Sequence, residues 1–268
     1  METHTSNSGV ELPERRAHHE PIIRVWDRLV RLNHWLLVLT FAIIYLYYRK
    51  FPTHAYAGYL VIILVIWRIL WGFVGSRAAR FSSFAFSPKA VLEYARDAMQ
   101  GHASYHVSHN PMGSWMVFIL LGMLLLNSIV GLILYSSGQQ LGPFGASVPY
   151  AWEDCLIQVH KILGHLTAAC VVGHLFGVLW AARLHRENYV VAMLTGHKRV
   201  SRHAVAADIE GYEKSPDNIV PQRLRGLEAW LNQYHPLYGS LILLLLLLAV
   251  AYGVASWLIT LNKYLPAY

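Results

Sequence analysis

Five stretches of about twenty mostly apolar residues decide what this chain can become. They run from 29 to 48, 54 to 74, 115 to 135, 156 to 182 and 237 to 261, and none contains an acidic side chain. The last holds the blunt run Leu241–Leu248. In hydrocarbon every backbone N–H and C=O must be satisfied within the segment, so each stretch reads as a spanning helix. A soluble helical protein with a very large core is the competing reading. Composition argues against it: 55% of residues are hydrophobic and 14% are charged, against about 25% charged in ordinary soluble domains. The expectation is an all-α membrane protein.

The formal charge of +7 is no sign of a nucleic-acid binder, because the basic residues flank the apolar runs and do not gather on one polar face. Their distribution gives orientation instead. Arg15, Arg16, Arg24, Arg28 and Arg31 precede or open the first span; Arg77, Arg80, Lys89 and Arg96 follow the second; Arg183, Arg186, Lys198, Arg199, Arg202, Lys214, Arg223 and Arg225 follow the fourth. The other side has Arg49, Lys50 and Lys263, so the balance is 17 against 3. This predicts an N-terminus inside, a C-terminus outside and an odd number of spans. Tyr45, Tyr47, Tyr48, Trp67, Trp71, Trp115, Tyr135, Trp152 and Trp180 cluster near the span ends, as interfacial aromatic belts do.

Residues 1–20 are polar, lack the apolar core of a cleavable secretory signal and read as a disordered arm. The polar stretch from 183 to 236 is too long for a turn and reads as a cytoplasmic cap with short helices or as partly disordered. Cys155 and Cys170 lie on one span with a rise of roughly 22 Å between them, beyond disulfide reach. There is no CxxCH motif for covalent haem attachment.

Ten of the fifteen histidines fall in polar segments, including His102, His106, His109, His185 and His197, and read as solvated side chains. His102, His106 and His109 lack a consistent helical spacing and an accompanying carboxylate, which leaves metal binding there poorly supported. His34, His54, His160, His165 and His174 sit in or at the spans, where ionisable side chains are rare and functional. His160 and His174 are 14 residues apart, only 40° short of four full turns, so they share a helix face with a rise of roughly 21 Å between them. His165 is turned about 140° from His160 and reads as a helix-contact or cavity residue. With alternating span directions, His34 matches the depth of His174 near the inner surface, and His54 matches His160 near the outer surface. Two depth-matched imidazole pairs can each clamp an iron between neighbouring helices. Gly58, Gly122, Gly131, Gly164, Ala168, Gly173 and Gly177 would give a flat macrocycle room, or simply allow close helix packing. Arg68 is costly at its depth unless paired; it would meet a cofactor carboxylate or snorkel to the interface.

Several motifs are similar to those of the bacterial cytochrome b561 family, which overlaps with the b-type cytochrome subunits of membrane-bound nickel–iron hydrogenases. Arg24-Val25-Trp26-Asp27 followed by Arg31-Leu32-Asn33-His34-Trp35 resembles its first helix, and His54-Ala55-Tyr56-Ala57-Gly58-Tyr59 its second. Trp67-Arg68 through Trp71-Gly72-Phe73-Val74-Gly75-Ser76-Arg77 resembles the inner end of that second helix. His109-Asn110-Pro111-Met112-Gly113 looks like the start of its third. Val159-His160-Lys161, Gly173-His174 and His185-Arg186-Glu187-Asn188 resemble the fourth and its exit.

The resemblance covers roughly residues 20–200. It implies a four-helix transmembrane bundle holding two haems b between bis-histidine ligands, which map onto His34, His54, His160 and His174. It also implies exchange of electrons between membrane quinone and a redox partner. Two departures stand out. Lys161 takes the place where the family often has an acidic residue, and about 70 further residues follow the bundle.

The chain is thus expected to be a dihaem bundle (residues 21–200) with a cytoplasmic segment (201–236) and a fifth C-terminal transmembrane helix with a short outer tail (237–268). Its expected work is electron transfer in the bacterial inner membrane between the quinone pool and an outer-side c-type cytochrome or hydrogenase-like subunit, within a multi-subunit complex. The alternatives are a membrane anchor that docks a soluble redox complex, and a histidine-based proton or metal transporter.

Overall fold

The computed structural model describes residues 22–50, 53–139 and 149–199. The arm, the segment 201–236 and the fifth apolar stretch lie outside the described residues. Four helices there are long and apolar enough to cross a membrane: α1 (Arg28–Leu46), α2 (Thr53–Val74), α4 (Pro111–Gln139) and α5 (Glu153–His185). Each covers a stretch expected from the sequence. Helix α4 begins four residues before the apolar run because Pro111 suits a first helical turn, where no backbone N–H is needed. Helix α5 outruns its apolar stretch at both ends, taking in the polar Glu153 and Arg183.

The four spans alternate in direction. The start of α1, the connector between α2 and α4, and the end of α5 share one end, here called the basic end. The end of α1, the start of α2, the end of α4 and the start of α5 share the far end. Asn33 Nδ2 donates to Leu64 O at 2.9 Å and fixes the depth of α1 against α2. Thr40 and Thr167 donate to the carbonyls one turn back, Leu36 O and Leu163 O, each at 2.7 Å, so these hydroxyls need no water. Ile63, Phe73, Val172 and Phe176 stand exposed. That is the expected outer face of a bundle whose solvent is lipid.

Asp27 organises the basic end. Its Oδ1 caps α1 by accepting from Val30 N at 2.8 Å, satisfying one of the orphan donors of a first turn. Its Oδ2 accepts from Trp71 Nε1 at 3.1 Å and Ser76 Oγ at 2.5 Å. One carboxylate therefore joins the start of α1 to the end of α2. Burial raises its pKa, but the hydrogen bonds from Ser76, Val30 and Trp71 outweigh that and hold it below the usual carboxylate range.

Here the chain departs from a purely helical fold. β1 (Ile22–Arg24) pairs antiparallel with β2 (His197–Arg199). Two short helices, α3 (Pro88–Met99) and α6 (Tyr189–Thr195), complete the connectors. A small core of Ile23, Val25, Trp26, Val30, Ala78, Ala79, Val107 and Ala192 fills the space between them. Under it lies a buried ion pair, Lys198 Nζ to Glu187 Oε2 at 2.7 Å. Tyr105 donates to Glu187 Oε1 at 2.7 Å, and Lys198 donates to the carbonyls of His106 (3.2 Å) and Val107 (3.0 Å). Burial lowers the Lys198 pKa, and the Glu187 charge works against that shift. The part of the polar segment up to residue 199 is thus ordered against the bundle.

Candidate functional site

Three helices bring four of the span histidines together in two pairs. His34 of α1 faces His174 of α5 with ring centroids 6.4 Å apart. His54 of α2 faces His160 of α5 at 5.9 Å. Because α5 carries a histidine in each pair, 14 residues apart, the pairs are separated along the bundle by roughly 21 Å. One lies toward the basic end and one toward the far end.

The spacing within each pair suits a shared metal ion. Two metal–nitrogen bonds of about 2 Å, plus about 1.1 Å from each nitrogen to its ring centre, span about 6 Å. Direct imidazole contact through one hydrogen bond would need a different arrangement, with Nδ1 or Nε2 of one ring donating to the other. In the far pair the Nδ1 atoms are already committed. His54 Nδ1 lies 3.3 Å from Ile44 O, and His160 Nδ1 lies 3.2 Å from Asn127 O. A carbonyl only accepts, so each Nδ1 carries the proton and each Nε2 keeps a lone pair for a metal. In the pair toward the basic end, His34 packs edge-on against Trp35 (5.0 Å) and its buried Nδ1 has no partner. Trp35 in turn donates to Met193 O of α6 at 3.4 Å, which ties this pair to the capping helix.

Glycines divide into two kinds. A Cβ on Gly131 of α4 would lie 2.9 Å from Cε1 and 3.3 Å from Nδ1 of His160. Only glycine lets the His160 ring sit there. At Gly58, Gly122 and Gly177 a Cβ would meet nothing within 4 Å, so close helix contact does not explain them. Gly58 lies one turn from His54, and Gly177 lies three residues from His174.

Arg68 follows His54 by 14 residues on α2, as His174 follows His160 on α5, so it shares the His54 face and the depth of the His34–His174 pair. It is 7% exposed. Nη2 donates to Ala79 O at 3.2 Å, and the guanidinium lies 5.1 Å from the Phe81 ring centre. Nη1 is buried without a partner, a costly state for a cationic donor.

Two histidines expected in solvent, His109 and His185, are instead held against the protein. The His109 ring is held 4.1 Å from Phe84 and 4.8 Å from Trp26, and its Nδ1 is sealed without a partner. Burial, helped by the positive charge of Arg68, pushes its pKa down to about 3. The cause is the fold-back of the connector, which lays residues 76–110 over the basic end. Asn110 Oδ1 accepts from Gly113 N at 2.7 Å and starts α4, which fixes His109 just outside the helix. His185 bonds Tyr94 through Nε2 at 3.2 Å. His165 is exposed on α5 and, among the described residues, makes no hydrogen bond to a neighbouring helix. Cys155 and Cys170 are both free.

The fold and these pairs define a class: a four-span helical membrane protein with facing histidines at two depths. The family model for prokaryotic cytochrome b561 matches residues 25–196. The chain belongs to this family, which is the b-type cytochrome family of nickel–iron hydrogenases. It is therefore a bacterial membrane protein that carries b-type haem and transfers electrons. No curated protein and no solved structure matches the chain.

Proposed function

We propose that this chain conducts electrons across the cytoplasmic membrane through two b-type haems, one held by His34 and His174 and the other by His54 and His160. The observation behind this reading is the pair of imidazole–imidazole spacings, 6.4 and 5.9 Å, at two depths of one bundle. The fit extends beyond the four histidines. Gly131 gives the His160 ring its place, and Gly58 and Gly177, within a turn of His54 and His174, leave open space beside those ligands. The unpartnered Nη1 of Arg68 suits a cofactor carboxylate at the depth of the His34–His174 pair.

Bound haem supplies a one-electron couple. His34 with His174, and His54 with His160, would hold the iron by protein ligands, which would leave no open position for oxygen or another substrate. The residues of this chain hold and orient the rings, and the carbonyls of Ile44 and Asn127 set the tautomer of the far pair. Such second contacts also tune ligand basicity and hence potential. The chemical substrate is membrane quinone. The redox partner is a periplasmic c-type cytochrome or a hydrogenase-like subunit, met at the far end within a multi-subunit complex. The basic end is cytoplasmic on the Lys/Arg balance.

Adding a quinol to the oxidised, purified protein tests this reading. The b-type visible bands should develop, and a c-type cytochrome added afterwards should reoxidise them. If neither quinol nor reduced cytochrome changes the bands, while dithionite does, the protein carries haem but lacks the proposed partners.

A further inference from the structure

We propose that α3 (Pro88–Met99) is an interfacial helix that lies on the basic-end surface of the membrane, with Leu92 and Met99 in the acyl boundary and Lys89 and Arg96 on anionic lipid headgroups.

The helix has four distinct faces. Tyr94 and Ala98, one turn apart, are buried against the protein. Taking Tyr94 as the origin and 100° per residue, Val91, Ala95, Met99 and Leu92 follow one another around one side, from about 60° to 160°. Next come Arg96 and Lys89, at about 200° and 220°, and then Glu93 and Asp97 on the remaining side. The order is therefore protein, apolar, basic, acidic. Leu92 is 71% exposed and Met99 76%, the largest apolar side chains of the helix and the ones least covered by protein. Water is a poor solvent for that arc. A helix with an apolar arc edged by Lys and Arg, and with acids on the opposite side, lies in a headgroup layer with its basic side chains reaching phosphate.

Two anchors put α3 at the right depth. Trp115, near the start of α4, donates from Nε1 to Phe86 O at 3.1 Å, just before α3. Tyr94 bonds His185, the last residue of α5, at 3.2 Å. Both partners are at the basic ends of spanning helices, and Trp is a typical interfacial residue. His106 packs on Phe86 (5.5 Å) and Tyr94 (5.8 Å) and closes the space between the anchors. The helix is thus fastened along its protein side at the level of the headgroups, with its apolar arc free. Charge selects the lipid: Lys89 and Arg96 stand beside the apolar arc, and Lys89 pairs only loosely with Glu93, at 3.7 Å on an exposed face. An exposed pair of that kind is worth little and yields readily to a phosphate.

The inference does not depend on the haem reading, and its test has its own readout. Single cysteines at Leu92, Met99, Glu93 and Asp97 are introduced into the full chain with Cys155→Ser and Cys170→Ser, labelled with a polarity-sensitive fluorophore and placed in nanodiscs of neutral or mixed neutral and anionic phospholipid. The visible haem spectrum checks that each variant is folded. Expected are blue-shifted emission at Leu92 and Met99 with quenching by shallow nitroxide lipids, and water-like emission at Glu93 and Asp97 with quenching by iodide. The blue shift should grow with anionic lipid, and Lys89→Gln with Arg96→Gln should remove that dependence. Iodide quenching at Leu92 and Met99 would overturn the proposal by placing them in water. Protection of both from iodide and from nitroxide lipid would also overturn it, by showing that protein covers the arc.

Discussion

Replacing Gly131 with alanine puts a methyl group against the His160 ring. The new Cβ would lie 2.9 Å from Cε1 and 3.3 Å from Nδ1. Comfortable carbon contacts lie at about 3.5–4.0 Å, so the ring must retreat by about 0.6 Å or more. His160 is held to α4 by the contact of Nδ1 with Asn127 O at 3.2 Å, one turn before Gly131, so its ring cannot retreat from α4 without stretching that bond or leaving its rotamer. An off-rotamer ring costs about 0.5–1.5 kcal/mol, and overpacking a filled interior about 1–3 kcal/mol. A loss of about 1–3 kcal/mol weakens the grip on the far haem by about 5- to 150-fold, since about 1.4 kcal/mol is tenfold. The haem between His34 and His174 should be untouched, which makes it an internal control. The assay is haem transfer to excess apomyoglobin, with the low-spin electron paramagnetic resonance signals of the two haems followed separately. The far haem should leave faster and its signal should shift. If both haems transfer at wild-type rates with unchanged signals, His160 does not hold a haem against Gly131 and the account of this site is wrong.

Three other outcomes are expected. His160→Ala should lose one haem, whereas His165→Ala, whose ring is exposed, should keep both; haem loss in the His165 variant alone would assign the ligand to the wrong histidine. Lys161→Glu should lower the potential of the far haem in a spectroelectrochemical titration. Charge reversal at roughly 15 Å with an effective dielectric near 20 is worth on the order of 100 mV before screening; Lys161 is exposed, so salt should cut this to tens of millivolts, and an unmoved potential at low salt would show that the side chain points away. Asp27→Ala removes a helix cap worth about 1 kcal/mol and two hydrogen bonds to a charged group worth about 1.5–3 kcal/mol each, and should lower the thermal unfolding midpoint by several degrees. Since the folded-state pKa of Asp27 lies below the usual carboxylate range, the wild-type advantage should be full above that range and fade as pH falls through the lower folded value; an advantage that persists in stronger acid would mean that the charge is not what joins α1 to α2.

Much of the bundle was legible in the sequence because a membrane span obeys few rules. Length and apolarity located four helices to within a few residues at most ends. The regular rise and rotation of a helix was enough to set His160 and His174 on one face and to match them in depth with His54 and His34. That reasoning works because each ring projects from a nearly straight rod in a solvent layer of known thickness. It fails where the chain leaves the rods. Nothing in local composition shows that the connector folds back to bury His109 between Trp26 and Phe84, or that Lys198 travels to an ion pair with Glu187. Those positions depend on contacts between segments about 80–170 residues apart, such as Tyr105 with Glu187 and β1 with β2. The polar residues there look like any solvated loop until the tertiary fold supplies their partners.

The central claim is that each of the two histidine pairs holds a haem. Haem content per chain, measured by pyridine haemochrome on the purified wild-type protein against an amino-acid-analysis protein concentration, tests it most directly. Two haems b per chain is the predicted result. A ratio of one or below in fully loaded protein would contradict it and leave at least one of the pairs, His34–His174 or His54–His160, without the role assigned to it.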